Sequence, residues 1–145
     1  MKKKTLVLAM AVLFFFNLGA ALAADPVDVE ARAKYLADMF QDKLPMKLDR
    51  TNLYLVGVNA LGGTVSMYCV VASDGGKLDH VARNNTEVYK TYLRNFFYDA
   101  DIADLQRNPK LQEWVKQGLR FSFMYIHELD DVGVICSYYL TKKDL

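Results

Sequence analysis

The densest group of side chains that could do chemistry is His127, Glu128, Asp130 and Asp131, with a single leucine among them. An imidazole and several carboxylates can together hold a divalent metal ion. Their spacing matches neither the HExxH pattern of zinc hydrolases nor a calcium-binding loop. The group lies between two strand-like segments, where polar residues keep a hairpin tip soluble. We therefore interpret it as a turn and predict no metal site.

His80 and its neighbour Asp79 are a second pair with the groups of acid–base catalysis. Adjacent residues seldom face the same reacting group, so solvated loop residues are the simpler interpretation. Ser66, Ser122 and Ser137 fall at strand positions, and no GxSxG, phosphate-loop or dinucleotide motif accompanies them. The sequence thus names no catalytic residue and no cofactor. A small enzyme such as a hydrolase remains the alternative to a binding protein.

The N-terminus has the three parts of a secretory signal. Three lysines precede an apolar run over residues 6–16, and an Ala-Leu-Ala sequence ending at Ala23 places small residues before a cleavage site. We predict cleavage after Ala23; the alternative is an uncleaved anchor. Residues 1–23 are then a signal peptide, and residues 24–145 form a single domain that is periplasmic or secreted.

The charge of this domain excludes one class of partner. The formal net charge of the whole chain is +1 and becomes −2 once the three signal lysines are removed. Without basic clusters there is no electrostatic footprint for nucleic acid. No second apolar stretch is long enough to cross a bilayer, so we expect no membrane span after signal cleavage.

Cys69 and Cys136 are the only cysteines of the chain. An exported protein meets an oxidising compartment, so a disulfide between them is predicted. The alternative is two buried free thiols. A catalytic role has less support, because no CxxC or Cys/His signature accompanies either residue.

Helix caps and apolar periodicity predict about three helices. The Asp-Pro pair at 25–26 starts the first helix. The capping-box sequence at 84–87 starts the second, which runs to about Tyr98. The Asn-Pro pair at 108–109 starts the third, which ends at Gly118, where a left-handed residue is favoured.

Four segments read as strands because apolar and polar residues alternate along them. Residues 53–61 and 64–72 are joined by two glycines into a first hairpin, and residues 119–127 and 132–141 form a second. The fold class is therefore α+β, an antiparallel sheet of about four strands with about three helices in the order α-β-β-α-α-β-β.

The disulfide would constrain the strand order. Cys69 lies on the second strand and Cys136 on the fourth. In a plain 1-2-3-4 order they would be about 9 to 10 Å apart, beyond the reach of a disulfide. We therefore expect the fourth strand beside the second.

The two faces of this sheet differ from the usual apolar and polar pair. One face is an ordinary core set, comprising Val65, Met67, Val71, Phe121, Phe123, Tyr125, Val134, Tyr138 and Leu140. The other mixes polar residues with large apolar ones, namely Tyr68, Val70, Met124, Ile126, Ile135 and Tyr139. Either a helix covers this second face, which we expect, or it is left open for a partner or a second copy. These six residues are the predicted binding residues.

Several features resemble small uncharacterised exported proteins of bacteria. They are Pro45, Gly63-Thr64 and Tyr68 within the run from Leu44 to Val71, the helix end at 111–118 and the late cysteine-bearing strand. That resemblance implies a fold and an exported location, and it names no reaction. In size and element order the chain is also similar to secretion pilotins, envelope proteins that usually carry a lipidated N-terminal cysteine and bind a peptide of a secretin.

The function predicted from these observations is that of a small exported envelope protein that acts by binding or assembly. The partner would be another envelope protein or a second copy of the chain. A small periplasmic enzyme or an inhibitor or immunity protein is the alternative.

Overall fold

The computed structural model describes residues 28–48 and 52–145. The predicted signal peptide and the Asp-Pro pair at 25–26 lie outside these residues, so both stay predictions. The first described helix begins after Asp28, whose side chain accepts a hydrogen bond from the backbone N–H of Ala31 at 2.7 Å. This cap satisfies one of the free amides of the first helical turn.

Four α-helices and one short 3-10 turn occur in the described residues. The helices are α1 (Val29–Gln41), α2 (Lys77–Asn84), α3 (Thr86–Arg107) and α4 (Pro109–Lys116), and the turn is Lys142–Asp144. Helix α2 was expected to be a loop, and α3 continues well past Tyr98. The cap of α4 is confirmed, because the Asn108 side chain accepts from the Leu111 N–H and Pro109 occupies the first turn.

Five strands form one mixed sheet in the order β1-β2-β3-β4-β5. They are β1 (Met46–Lys47), β2 (Leu53–Leu61), β3 (Thr64–Val71), β4 (Arg120–His127) and β5 (Val134–Leu140). The two predicted hairpins are confirmed as β2–β3 and β4–β5. Gly62 has the positive φ, 57°, that the first turn requires.

The sequence predicts an antiparallel sheet, and one pair of strands contradicts that prediction. Strands β3 and β4 are parallel neighbours, with Thr64 opposite Arg120 and Val71 opposite His127. Helices α2 to α4 connect them and return the chain to the end at which β3 began. A connection of that kind makes the strands parallel, whereas a tight turn makes them antiparallel.

The predicted disulfide and its strand order are wrong in this structure. Cys69 and Cys136 are both buried free thiols. Each is paired in register with Tyr125, one from β3 and the other from β5, so β4 separates them. Cysteines on strands that flank a third are about 9 to 10 Å apart, too far for a bond.

Helices α1, α3 and α4 pack on one face of the sheet, which we call the inner face. Helix α1 contacts β2 and β3, and α3 contacts β5. Phe40, Trp114 and Phe121 are among the fully buried residues of the shared core. A side chain at Gly63 would come within 2.6 Å of the Val29 Cγ1 atom, so this glycine permits the close approach of α1 to the β2–β3 turn.

The opposite face of the sheet, which we call the outer face, is not covered by any helix among the described residues. Its apolar side chains are absent from the buried core and are partly exposed to solvent. The expectation that a helix covers this face is thus not met by α1 to α4. None of these helices has the length and apolar character that crossing a membrane requires.

Candidate binding surface

Four of the six predicted binding residues form the centre of the outer face. Tyr68 and Val70 lie on β3, directly opposite Met124 and Ile126 on β4. All four side chains are half-buried, because each is flanked by its sheet neighbours and lacks a layer above it. Adjacent strands therefore place apolar side chains in a continuous strip that remains accessible.

Tyr68 owes its position to a glycine on the neighbouring strand. Gly57 is its partner on β2, and a Cβ atom at that position would approach the Tyr68 ring to 3.3 Å. The missing side chain lets the ring lie against the backbone of β2. Tyr54, opposite Val70, extends the strip onto this strand. Only the register of β2 and β3 reveals the contributions of Gly57 and Tyr54.

A β-bulge in β5 changes the position of Ile135, one of the other two predicted residues. Cys136 is opposite Tyr125 and Val134 is opposite Ile126, which leaves Ile135 as the extra residue. Ile135 is buried in the core, with 6% of its surface exposed. Its assignment to the outer face is wrong. The assignment of Val134 to the core face is wrong too, because Val134 lies on the outer face and is 49% exposed. Simple alternation along the strand cannot detect an inserted residue.

Tyr139, the sixth predicted residue, is opposite Ser122 and is 63% exposed. It is one of the residues that line a groove with a volume of about 470 Å³. Residues lining this groove include Gly118, Leu119, Arg120, Lys142 and Lys143. The apolar strip thus leads into a concave region that carries positive side chains.

The residues considered for metal binding interact with separate partners and not with one another. The Nδ1 atom of His127 accepts a hydrogen bond from the backbone N–H of Leu129 at 3.0 Å, and burial lowers the pKa of this imidazole. Glu128 accepts from the Ser73 N–H, and Asp131 forms an ion pair with Arg83 at 2.8 Å. Within the described residues no three His, Cys, Asp or Glu side chains are grouped to hold a metal ion.

His80 and Asp79 do not act as a pair. Both oxygens of Asp79 accept hydrogen bonds from the turn before α2, including one from the Ser73 hydroxyl, which is the main cause of its lowered pKa. His80 lies on α2 instead of in the expected loop, and its Nδ1 atom is 3.0 Å from the Asn84 side-chain amide. Asp79 therefore stabilises the turn that begins the helix.

A buried carboxyl group that the sequence did not single out lies under the inner face. Asp101 of α3 has no exposed surface and accepts hydrogen bonds from the hydroxyls of Tyr125, at 2.8 Å, and Tyr138. Burial raises the pKa of Asp101 to about 7 and that of the nearby Asp104 to about 8. Such shifts often mark catalytic sites, but a fully enclosed carboxyl cannot touch a substrate. The hydrogen bonds of Asp101 with these two tyrosines link α3 to the sheet.

Comparisons with known proteins bear on the fold. No protein-family model matches the chain, and no curated protein matches it. Three solved structures are similar to it. The pilotin EpsS of the Vibrio vulnificus type 2 secretion system has a TM-score of 0.55 at 13% identity, over 80% of this chain and 90% of that one.

The second structure is the type II secretion system pilotin AspS from Vibrio cholerae, with a TM-score of 0.52 at 15% identity over 81% of this chain and 92% of that one. The third is a candidate secreted protein from Pseudomonas aeruginosa, with a TM-score of 0.53 at 9% identity over 80% of this chain and 91% of that one. At these identities the likeness concerns the fold. The chain therefore has a pilotin-like α+β fold, and the resemblance noted in the sequence is confirmed at that level.

Proposed function

We propose that this chain is an exported envelope protein that acts by binding a partner protein through the outer face of its sheet. The observation that supports this function is the difference between the two faces of the same strands. The inner face is covered by helices, whereas the outer face presents Tyr68, Val70, Met124 and Ile126 without a covering layer. Contiguous apolar surface that is only partly buried, as here, marks interaction sites in soluble proteins.

The fold neighbours support the class of function. Two of them are pilotins of type 2 secretion systems, and the third is a candidate secreted protein. A pilotin-like role would make the partner an envelope protein, and the resemblance stated from the sequence implies a peptide of a secretin. The predicted signal peptide would deliver the chain to the compartment in which such a partner lies.

The composition of the outer face suits a reversible or regulated contact between proteins. Tyrosine and methionine are enriched in interfaces, because they supply a large contact area and adapt to a partner. Ser66 and Ser122 lie between the apolar side chains and can form hydrogen bonds across an interface. A surface that mixes serines with apolar side chains can remain in contact with water while no partner is bound.

Photo-crosslinking from matched tyrosine positions tests the proposal. A photo-reactive benzoylphenylalanine replaces either Tyr139, at the edge of the outer face, or Tyr92, on α3; both side chains are 63% exposed. We expect a discrete adduct in envelope preparations from the Tyr139 position and none from the Tyr92 position. Mass spectrometry then identifies the partner, and an adduct of twice the chain mass would identify self-association.

A second substitution connects the adduct to the apolar strip. Ile126→Glu places a charge at the centre of the outer face, and Val88→Glu makes the same change at an exposed site on α3. We expect both variants to remain folded by circular dichroism and only Ile126→Glu to lose the Tyr139 adduct. An unchanged adduct in Ile126→Glu, or equal adducts from Tyr139 and Tyr92, would show that the outer face is not the binding surface.

A further inference from the structure

We propose that the groove beside Tyr139 binds an acidic segment of the partner, so that carboxylates of the partner enter the groove while adjacent apolar residues lie on the outer face. This inference rests on the proposed function and specifies the chemistry of the partner. It depends on the location of the groove, its charge and its connection to the apolar strip.

The groove is formed where three segments meet at one end of the sheet. Gly118 and Leu119 come from the connection between α4 and β4, Arg120 begins β4, and Lys142 and Lys143 belong to the turn after β5. Its volume of about 470 Å³ is within the range of roughly 300–1,000 Å³ that is typical of ligand pockets. A few side chains of a bound segment fit into such a space.

The side chains that line the groove carry a net positive charge. Arg120, Lys142 and Lys143 are exposed, and no ion pair within residues 28–48 and 52–145 involves them. The one acidic residue that lines the groove is Asp144, whose oxygens accept from two neutral donors, the Tyr98 hydroxyl at 2.6 Å and the Thr141 N–H at 2.8 Å. Its carboxylate stays charged, so three positive side chains face one negative one.

This positive character is local. The chain has a net charge of +1, or −2 after the predicted signal cleavage, so the molecule as a whole does not attract anions. Positively charged side chains that are concentrated on one concave surface of a nearly neutral protein guide and orient an oppositely charged partner. The complementary chemistry is that of carboxylate side chains.

The groove adjoins the outer face, because Arg120 and Tyr139 belong to both. Tyr139 forms one wall of the groove, and its register partner Ser122 precedes Met124 of the apolar strip by two residues on the same side of β4. A bound segment can therefore contact both regions. The serines among the apolar side chains favour a polypeptide, which has hydrogen-bonding groups, over the acyl chains of a membrane.

A peptide titration followed by NMR tests this inference on residues 24–145. The probe is a short synthetic peptide in which leucine and glutamate alternate, and the control peptide has lysine in place of glutamate. We expect the glutamate peptide to shift the amide signals of Gly118, Arg120 and Thr141 together with that of Met124, and the lysine peptide to leave the groove signals unchanged. Binding should weaken as salt increases, because exposed charges are screened.

Charge reversal provides the matched variants. Lys142→Glu combined with Lys143→Glu should weaken binding of the glutamate peptide about tenfold or more, as expected when charges at the edge of an interface are reversed. Lys43→Glu combined with Lys77→Glu makes the same change in net charge at exposed positions away from the groove and should have little effect. Thermal melting of all variants checks that each is folded.

Three results would overturn the inference. They are no response of the groove to the glutamate peptide, equal weakening by the two double variants, and sedimentation with phosphatidylglycerol vesicles without peptide binding. If Lys142→Glu/Lys143→Glu binds the glutamate peptide as tightly as the parent while the parent still forms the Tyr139 crosslink, the outer face binds a partner and only the acidic groove contact is wrong. Loss of the crosslink in the parent protein would instead remove the proposed function itself.

Discussion

Strand β4 shows two faces of one sheet that differ in what covers them. Phe121, Phe123 and Tyr125 alternate along it with half-buried residues, and these three aromatic residues have no exposed surface. Their rings are stacked along the strand, with centroids 6.2 and 6.3 Å apart, and the Phe97 ring of α3 lies over Tyr125 at 4.0 Å. The residues between them point to the outer face, where no described helix lies.

The difference shows that apolar character alone does not make a side chain part of the core. Met124 and Ile126 are as hydrophobic as many buried residues, yet they lack the opposing layer that would exclude water. We therefore expect substitutions on the inner face to affect folding, and substitutions on the outer face to affect association.

Phe123→Ala should be the most disruptive of three changes that test this comparison. Removal of a fully buried ring from a stacked cluster costs about 3–5 kcal/mol of unfolding free energy, because burial is lost and a cavity remains. Met124→Ala, one residue further along the strand, should cost less than about 1 kcal/mol. Chemical denaturation measures both, and equal costs would show that the outer face is also covered.

A pH dependence of stability should arise from the inner face, through Asp101. Its pKa is raised from 3.8 to about 7 by burial, so the folded state binds more protons than the unfolded state between these values. The stability contributed by the neutral carboxyl is fully present below pH 3.8 and is lost as the pH rises to about 7. A shift of this size corresponds to a few kcal/mol, and Asp104 acts in the same direction.

Asp101→Asn is the variant that isolates this effect. The amide has no charged form to bury, so the decrease in unfolding free energy from pH 4 to pH 8 should be smaller in the variant than in the parent. Burial lowers the pKa of His127, which acts in the opposite direction near pH 6.5, and the difference between the two proteins removes its contribution. Parallel curves for parent and variant would contradict the assignment to Asp101.

The smallest expected effect is that of a reducing agent on the two inner-face cysteines. Cys69 and Cys136 are free and are separated by β4, so dithiothreitol should not change the melting temperature. A native disulfide closing a loop of this length would instead contribute about 4 kcal/mol. Alkylation of denatured, unreduced protein should label both cysteines, and a linked pair in non-reducing peptide maps would contradict the strand order of the structure.

Features governed by neighbouring residues could be predicted from the sequence. The two hairpins, the cap of α4 at Asn108 and the alternation of β4 depend on turn chemistry, side-chain capping and a period of two residues. For the same reason five of the six candidate binding residues were placed on the correct face. The hydrophobic pattern within a strand is a local property, and it is kept whatever strand lies beside it.

Tertiary structure alone decided which elements lie side by side. The parallel pairing of β3 and β4, the burial of Ile135 by a bulge and the hydrogen bonds of Asp101 with two tyrosines all join segments that are distant in sequence or depend on register. The disulfide prediction is wrong for this reason, since an oxidising compartment would favour the bond but the distance between two strands controls it. Whether the outer face is open also depended on where the helices pack, because each strand presents its two faces alike until another layer covers one of them.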